Sequence, residues 1–146
     1  MINETFNPDA AIRARWMVVD DDAGVREIVS ALLSAASDAE ICSFASSAEA
    51  LAHFAAQPLA FELIVSDFDM PGMNGVEFCR RLLELAPSQK IILATGSEVF
   101  SEAAAQEHGF CGLLHKPFSL AQLLHALERA GLNVVVNSTN NQKNER

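Results

Sequence analysis

Leu63-Ile64-Val65-Ser66-Asp67-Phe68-Asp69-Met70-Pro71-Gly72-Met73-Asn74-Gly75 is the stretch on which the fold turns. An apolar run ends in a carboxylate, and Pro, Gly and Asn then crowd together as they do in a turn-rich loop. A buried strand thereby delivers Asp67 to the start of a loop. The pattern recurs on either side. Trp16-Met17-Val18-Val19 runs into Asp20-Asp21-Asp22, Ile91-Ile92-Leu93-Ala94 runs into Thr95, and Leu113-Leu114-His115 runs into Lys116-Pro117. If these strands lie parallel in one sheet, their polar ends meet at its carboxyl edge, where open α/β folds hold their sites.

Helical periodicity fills the gaps between the strands. After a first strand from Arg15 to Asp20, Ala23 to Ala36 carries Val25, Ile28, Val29, Leu32 and Ala36 on one face. Ile41 to Phe44 reads as a second strand. Ser46-Ser47-Ala48-Glu49 then has the form of a capping box ahead of an Ala-rich helix that ends near Gln57-Pro58. The Asp67 strand is followed by a helix from Gly75 to Leu85, closed before Pro87. Lys90 to Thr95 is the fourth strand, and Ser97 to His108 is predicted as its helix, with Gly109 as terminator. Gly112 to His115 is the fifth strand. Its helix starts at Ser119 with a second capping box, turns Leu120, Leu123, Leu124 and Leu127 inward, and ends at Gly131. Strands that are apolar throughout, separated by helices, predict a parallel sheet covered on both faces: a three-layer α/β sandwich.

The chain has 146 residues, enough for one core and too few for two domains of ordinary size. No apolar run approaches the ~20 residues of a spanning helix, and Met1 to Arg15 lacks the apolar stretch of a signal peptide. A cytoplasmic protein without membrane attachment is expected. Its net charge of -9 opposes approach to polyanions, so direct nucleic-acid binding is not expected. Cys42, Cys79 and Cys111 have no Cys-x-x-Cys spacing and read as reduced thiols. His53, His108, His115 and His125 lack ligand spacing; His115, beside Lys116, is the one nearest the chemistry. Residues 1–14 are expected to form a flexible extension and 133–146 a polar, disordered tail, although Val134-Val135-Val136 could pair as an edge strand.

The polar strand ends suit phosphoryl transfer to a carboxylate. Asp67 needs no general base, because a carboxylate is already ionised at neutral pH. A phosphoryl donor is itself anionic, so several carboxylates must share a hard divalent cation, and oxygen ligands with retained waters suit Mg²⁺. Asp20 and Asp21 are adjacent and are not expected to point the same way, so one would bind the ion directly and the other through water. The hydroxyl of Thr95 and the ammonium of Lys116 would serve the non-bridging phosphoryl oxygens.

From about Arg15 to Leu132 the chain resembles the receiver domain of two-component response regulators. The acidic pair Asp20-Asp21 follows the first strand, Asp67 stands in the motif Asp-x-x-Met-Pro-x-Met-x-Gly, Thr95 ends the fourth strand, and Lys116-Pro117-Phe118 ends the fifth. The resemblance implies a flavodoxin-like (βα)5 fold of strand order 2-1-3-4-5 and a cis Lys116-Pro117 bond. It also implies Asp67 as phosphoacceptor and Mg²⁺ held by Asp21, Asp67 and the main-chain carbonyl of Asp69. The phosphoryl group would come from a sensor histidine kinase or a histidine phosphotransfer protein. A downstream protein target would read the face formed by the fourth helix, fifth strand and fifth helix. Such a chain is a signalling phosphoacceptor rather than an enzyme, and a monomer or weak dimer. Asp69 and Ser97 occupy positions that tune acyl-phosphate lifetime in the family, and Gly96 is small, as access to the site requires. Leu113 departs from the pattern, since the family usually has an aromatic ring there.

Two alternatives use the same residues. Asp67-Phe68-Asp69 also resembles the Asp-x-Asp of haloacid-dehalogenase-like phosphatases, but these place further metal-binding acids after the lysine, and no Asp follows Pro117. A receiver excised from a hybrid histidine kinase would share the whole constellation. Met1 and the polar C-terminal end are those expected of a stand-alone protein.

Overall fold

The computed structural model describes residues 13–98 and 100–134. Strands β1 (Arg15–Val19), β2 (Glu40–Phe44), β3 (Leu63–Asp67), β4 (Lys90–Thr95) and β5 (Gly112–His115) alternate with helices α1 (Ala23–Ala36), α2 (Ser47–Ala56), α3 (Gly75–Leu85), α4 (Glu102–Glu107) and α5 (Leu120–Arg129). Every ladder is parallel and the order is β2-β1-β3-β4-β5, the flavodoxin-like arrangement.

The continuous apolar strands are explained by two cores, one on each face of the sheet. Successive side chains of a strand point to opposite faces. Trp16, Val18, Leu63, Val65, Ile92, Ala94 and Leu114 therefore pack with Val29 and Leu33 of α1 and Leu123 and Leu127 of α5. Met17, Val19, Ile64, Ile91 and Leu93 pack with Ala50 and Phe54 of α2, Phe78 and Leu82 of α3, and Ala105 of α4. Neither parity meets water in the central strands, and burying one such aliphatic side chain contributes about 1.5–3 kcal/mol. The edge strand β2 instead leaves Glu40 and Ser43 exposed.

Chain direction reverses its progress across the sheet after β2, when β3 returns to the other side of β1. The crossovers place α1 and α5 on one face and α2, α3 and α4 on the other, as the right-handed rule for parallel connections requires. The carboxyl ends of β1 and β3 are therefore the point where the strand order switches and the two sets of connections part, the place where open α/β sheets hold their ligands.

Local polar bonds set the helix ends. Asp22 accepts from the Val25 amide (3.0 Å) to start α1, and Asn74 accepts from the Glu77 amide (2.9 Å) to start α3. Ser46 accepts from the Glu49 amide at α2, but among the described helices both halves of a capping box form only at α5, between Ser119 and Gln122. The fourth helix differs from expectation. It was predicted to span Ser97 to His108 and is confined to Glu102–Glu107, because the Ser97 amide is bound by the Thr95 hydroxyl (3.0 Å) and Ser101 caps the Ala104 amide (3.1 Å). The Phe100 ring, meanwhile, sits edge-on against Phe68, with centroids 4.8 Å apart.

Cys42, Cys79 and Cys111 are free thiols, and burial pushes Cys79 up to about 12 and Cys111 upward as well. All four histidines are exposed. At the chain's described ends, Arg13 donates to the carbonyl of Asp38 (2.8 Å), Ala14 accepts from the Glu40 amide, and Val134 packs against the α1/α5 core without joining a strand. The expectations for residues 1–12 and for the tail from Val135 onward lie outside the described residues.

Candidate functional site

Ladder register brings the polar strand ends to one place. Asp67 pairs with Ala94, so Thr95 stands one residue beyond it on the neighbouring strand, and Thr95 in turn pairs with His115, one residue before Lys116. Asp20 is 3% exposed, Asp67 7% and Thr95 0%. Polar groups this deep at a sheet edge need partners. The Thr95 hydroxyl accepts from the Ser97 amide (3.0 Å), and Lys116 serves the two acids: its ammonium, half-buried, donates to Asp20 Oδ2 (2.9 Å) and to Asp67 Oδ1 (3.1 Å). The Lys116 amide donates to the Thr95 carbonyl (2.8 Å), and the Lys116-Pro117 bond is cis.

One ammonium is shared between two carboxylates, and the balance of charge shows it. Burial raises the Asp67 carboxyl above its ordinary value; Lys116 pulls it back through a hydrogen bond and its charge, and Asp20 adds repulsion. Burial alone would lower Lys116, but its bonds to Asp20 and Asp67 outweigh that and hold it above the ordinary lysine value.

Asp20, Asp21 and Asp67 each offer a carboxylate oxygen, and these atoms lie within 4.8 Å of one another. Adjacent residues of an ideal strand would diverge, which is why Asp20 and Asp21 were not expected to point the same way. They converge because β1 ends at Val19, so strand alternation no longer governs them. The backbone there follows a different geometry: the Asp22 amide donates to Asp20 Oδ1 (2.9 Å), and the Arg26 guanidinium donates to the Asp20 carbonyl (2.7 Å). Three carboxylates in one cluster, two of them buried, form an all-oxygen donor set that fits a hard divalent cation. Asp69 lies on the exposed loop two residues after Asp67.

The loop after β3 is held from several sides. The Gly75 amide donates to the Phe68 carbonyl (2.8 Å), and a Cβ at Gly75 would stand 2.5 Å from the Asp67 carbonyl oxygen and 2.9 Å from the Phe68 Cα. Only glycine lets α3 start this close to the strand end. Ser47 of α2 donates to the Met73 carbonyl (3.0 Å), and Ser66 donates to the Asp67 carbonyl (2.8 Å). Gly96 opposes no atom within 4 Å where a side chain would begin, so the space over Thr95 stays open.

Sequence reasoning singled out the acids, the hydroxyl and the ammonium, and the structure brings Asp20, Asp21, Asp67, Thr95 and Lys116 to one edge. It missed Arg26, Ser47, Ser66 and Phe100, which hold the site through main-chain or ring contacts. Arg26 carries the one visible signal, a basic residue four positions after Asp22 and within reach of the acidic loop. Leu113, where an aromatic ring was looked for, is half-buried against the α2/α3/α4 side.

The acidic cluster and the lysine thus stand at the switch point of a parallel doubly wound sheet, where such folds hold their sites. The chain matches the model of the response regulator receiver domain over residues 16–128, and it belongs to that family. It is 33% identical over 114 residues to the C4-dicarboxylate transport transcriptional regulatory protein DctD of Rhizobium meliloti, covering 77% of this chain and 24% of that protein. It is 36% identical over 107 residues to protein-glutamate methylesterase/protein-glutamine glutaminase 1 of Rhizobium johnstonii, covering 71% of this chain and 30% of that one. Among solved structures, chemotaxis protein CheY4 of Vibrio cholerae superposes with a TM-score of 0.69 at 31% identity, over 82% of this chain and 99% of that one. The chain thus spans 24% and 30% of the two curated relatives but nearly the whole of the chemotaxis structure. The hybrid-kinase alternative is not favoured by these likenesses, and family membership leaves the phosphatase reading without support.

Proposed function

We propose that Asp67 is the phosphoacceptor of a two-component phosphorelay, with Mg²⁺ as the cation and Asp20, Asp21, Asp67 and the main-chain carbonyl of Asp69 as its holders. The observation that carries this reading is the convergence of three carboxylates with Lys116 at the carboxyl ends of β1 and β3. In the transfer, an oxygen of Asp67 attacks phosphorus, the bond from phosphorus to the donor's imidazole nitrogen breaks, and the electron pair leaves with the imidazole. The nucleophile is oriented before the donor arrives, since Lys116 holds one of its oxygens. When bound, the cation offsets charge on donor and acceptor oxygens. Lys116 supplies a compact positive charge for the phosphoryl oxygens, and the Thr95 hydroxyl, exchanging its bond to the Ser97 amide, supplies a hydrogen bond.

Output runs through the α4–β5–α5 face. A groove of about 390 Å³ lies there, lined by Ala105, Leu113, Phe118, His125 and the Glu102–Arg129 ion pair, among others. With leucine at position 113, the signal reaches this face through displacement of the segment after Thr95 rather than through a swinging ring. The donor is a histidine kinase or phosphotransfer protein, the recipient a protein target, and the setting the cytoplasm, with residues 15–132 as the receiver unit. No described helix is long and apolar enough to cross a membrane.

Incubation with a small phosphodonor and Mg²⁺, read by intact mass, tests the assignment. One added phosphoryl group is expected, absent in Asp67→Ala and in EDTA; equal labelling of the variant overturns it.

A further inference from the structure

Asp21 is the exposed member of the acidic cluster, and among the described residues its carboxylate has no hydrogen-bond partner that would aim it. Its direction depends on its backbone. Two peptide planes flank the Asp21 Cα, and both are pinned. The plane that follows is held where the Asp22 amide donates to Asp20 Oδ1 (2.9 Å). The plane that precedes is held where the Arg26 guanidinium donates to the Asp20 carbonyl (2.7 Å), a short charge-assisted bond in a partly buried setting. Asp20 itself is fixed upstream, since its amide donates to the Phe44 carbonyl of β2 (3.2 Å). Arg26 reaches back from α1, whose N-terminus is separately secured by Asp22, so the helix is tied to the loop at two points.

We infer that Arg26 is a positioning residue for the cation site: by holding the Asp20 carbonyl, its guanidinium sets the direction in which the Asp21 carboxylate enters the cluster. This rests on the reading of Asp20, Asp21 and Asp67 as cation holders. Two effects of Arg26 on a cation have opposite signs, which makes the role measurable. A fixed positive charge beside the cluster repels a divalent cation, so its removal would tighten binding. A lost positioning bond lets Asp21 swing, and removing groups that orient metal ligands weakens affinity by about 10–100-fold. The bond is directional and short and fixes where a ligand oxygen stands, while the repulsion of one guanidinium is set against the attraction of three carboxylates, so positioning prevails.

The test uses the full chain with Mn²⁺ as probe, free Mn²⁺ being read by electron paramagnetic resonance and Mg²⁺ by competition. Arg26→Met keeps the aliphatic stem without a donor, and it should weaken both ions by about 10-fold while the metal-free melting temperature changes little. Arg26→Lys, which retains a charged donor, should recover part of the loss. Affinity in Arg26→Met that is unchanged or tighter overturns the inference, as does a lowered melting temperature with wild-type affinity. Arg26→Gln, too short to span the same gap, replaces the Met variant if that fails to fold, with the same weakening expected and the same results overturning it. Wild-type protein that takes up no Mn²⁺, or takes it up equally after Asp67→Ala, overturns the cation site itself; binding by wild type with Arg26→Met unaffected overturns only the role of Arg26.

Discussion

Gly75 and Asp67 show how much a single position carries at this sheet edge. A methyl group at Gly75 meets main-chain atoms, at 2.5 Å and 2.9 Å, that cannot rotate away. Gly75→Ala should therefore destabilise the protein by about 1–3 kcal/mol, the range for forced overpacking, as measured by urea unfolding. Asp67 acts in the opposite sense. Its carboxyl is raised by burial, so the folded state binds its proton more tightly than the unfolded chain does. That contribution to stability is present below the unfolded value and is lost as pH rises through the folded one. At neutral pH the ionised group is a net cost, and Asp67→Asn should raise the metal-free melting temperature by about 2–5 °C. The difference should shrink as pH falls below the raised value of Asp67, because wild type then becomes neutral there too. A variant that melts lower than wild type at pH 7 and gains on acidification would reverse the sign of this account.

At the scale of elements, α4 is the weak member. It spans six residues, Glu102 to Glu107, and sends a single residue, Ala105, into the core. Short helices gain little from propensity and depend on caps and packing. Ser101→Ala should cost about 1 kcal/mol, and because the helix can open alone, the loss should appear as faster amide exchange at Ala105 and His108. The global melting temperature should move far less. The exposed Glu102–Arg129 pair ties α4 to α5 across the groove, and a double-mutant cycle there should return no more than about 1 kcal/mol. The periodicity of residues 97–108 promised a longer helix than forms. Helical spacing at 97–101 was overridden by the Thr95–Ser97 turn and by the Phe68–Phe100 ring contact, one local and hard to weigh, the other made by residues far apart in sequence. By contrast α1, α3 and β5 have the bounds their sequence predicts, because cap, apolar face and terminator there agree.

Across the whole molecule, the site and the single tryptophan lie at opposite ends of the same strand. Trp16 is 1% exposed and donates from its indole to Glu62 (2.8 Å), four residues before Asp20. At ~3.3 Å per strand residue that is about 13 Å from the acids. Mg²⁺ should therefore leave tryptophan emission nearly unchanged while raising the melting temperature by binding the folded state alone, and Asp67→Asn should lose that rise. Strong quenching on titration would place the cation elsewhere. By itself, the sequence determined the alternation of strands and helices, the two-sided burial of the sheet and the five polar residues that end its strands. All of these follow from local pattern, since hydrophobic period and turn chemistry are properties of neighbouring residues. Strand order came from the family resemblance, and it is the parallel register that makes those five ends one site. What only the tertiary structure decided was the convergence of Asp20 with Asp21, the sharing of Lys116 between two carboxylates, and the hold of Arg26 on the acidic loop. The Lys116 bonds join segments far apart in sequence, which only folding brings together. The other two are short in sequence but turn on the backbone geometry after β1, and the spacing of Arg26 from Asp22 shows reach without naming the group it holds.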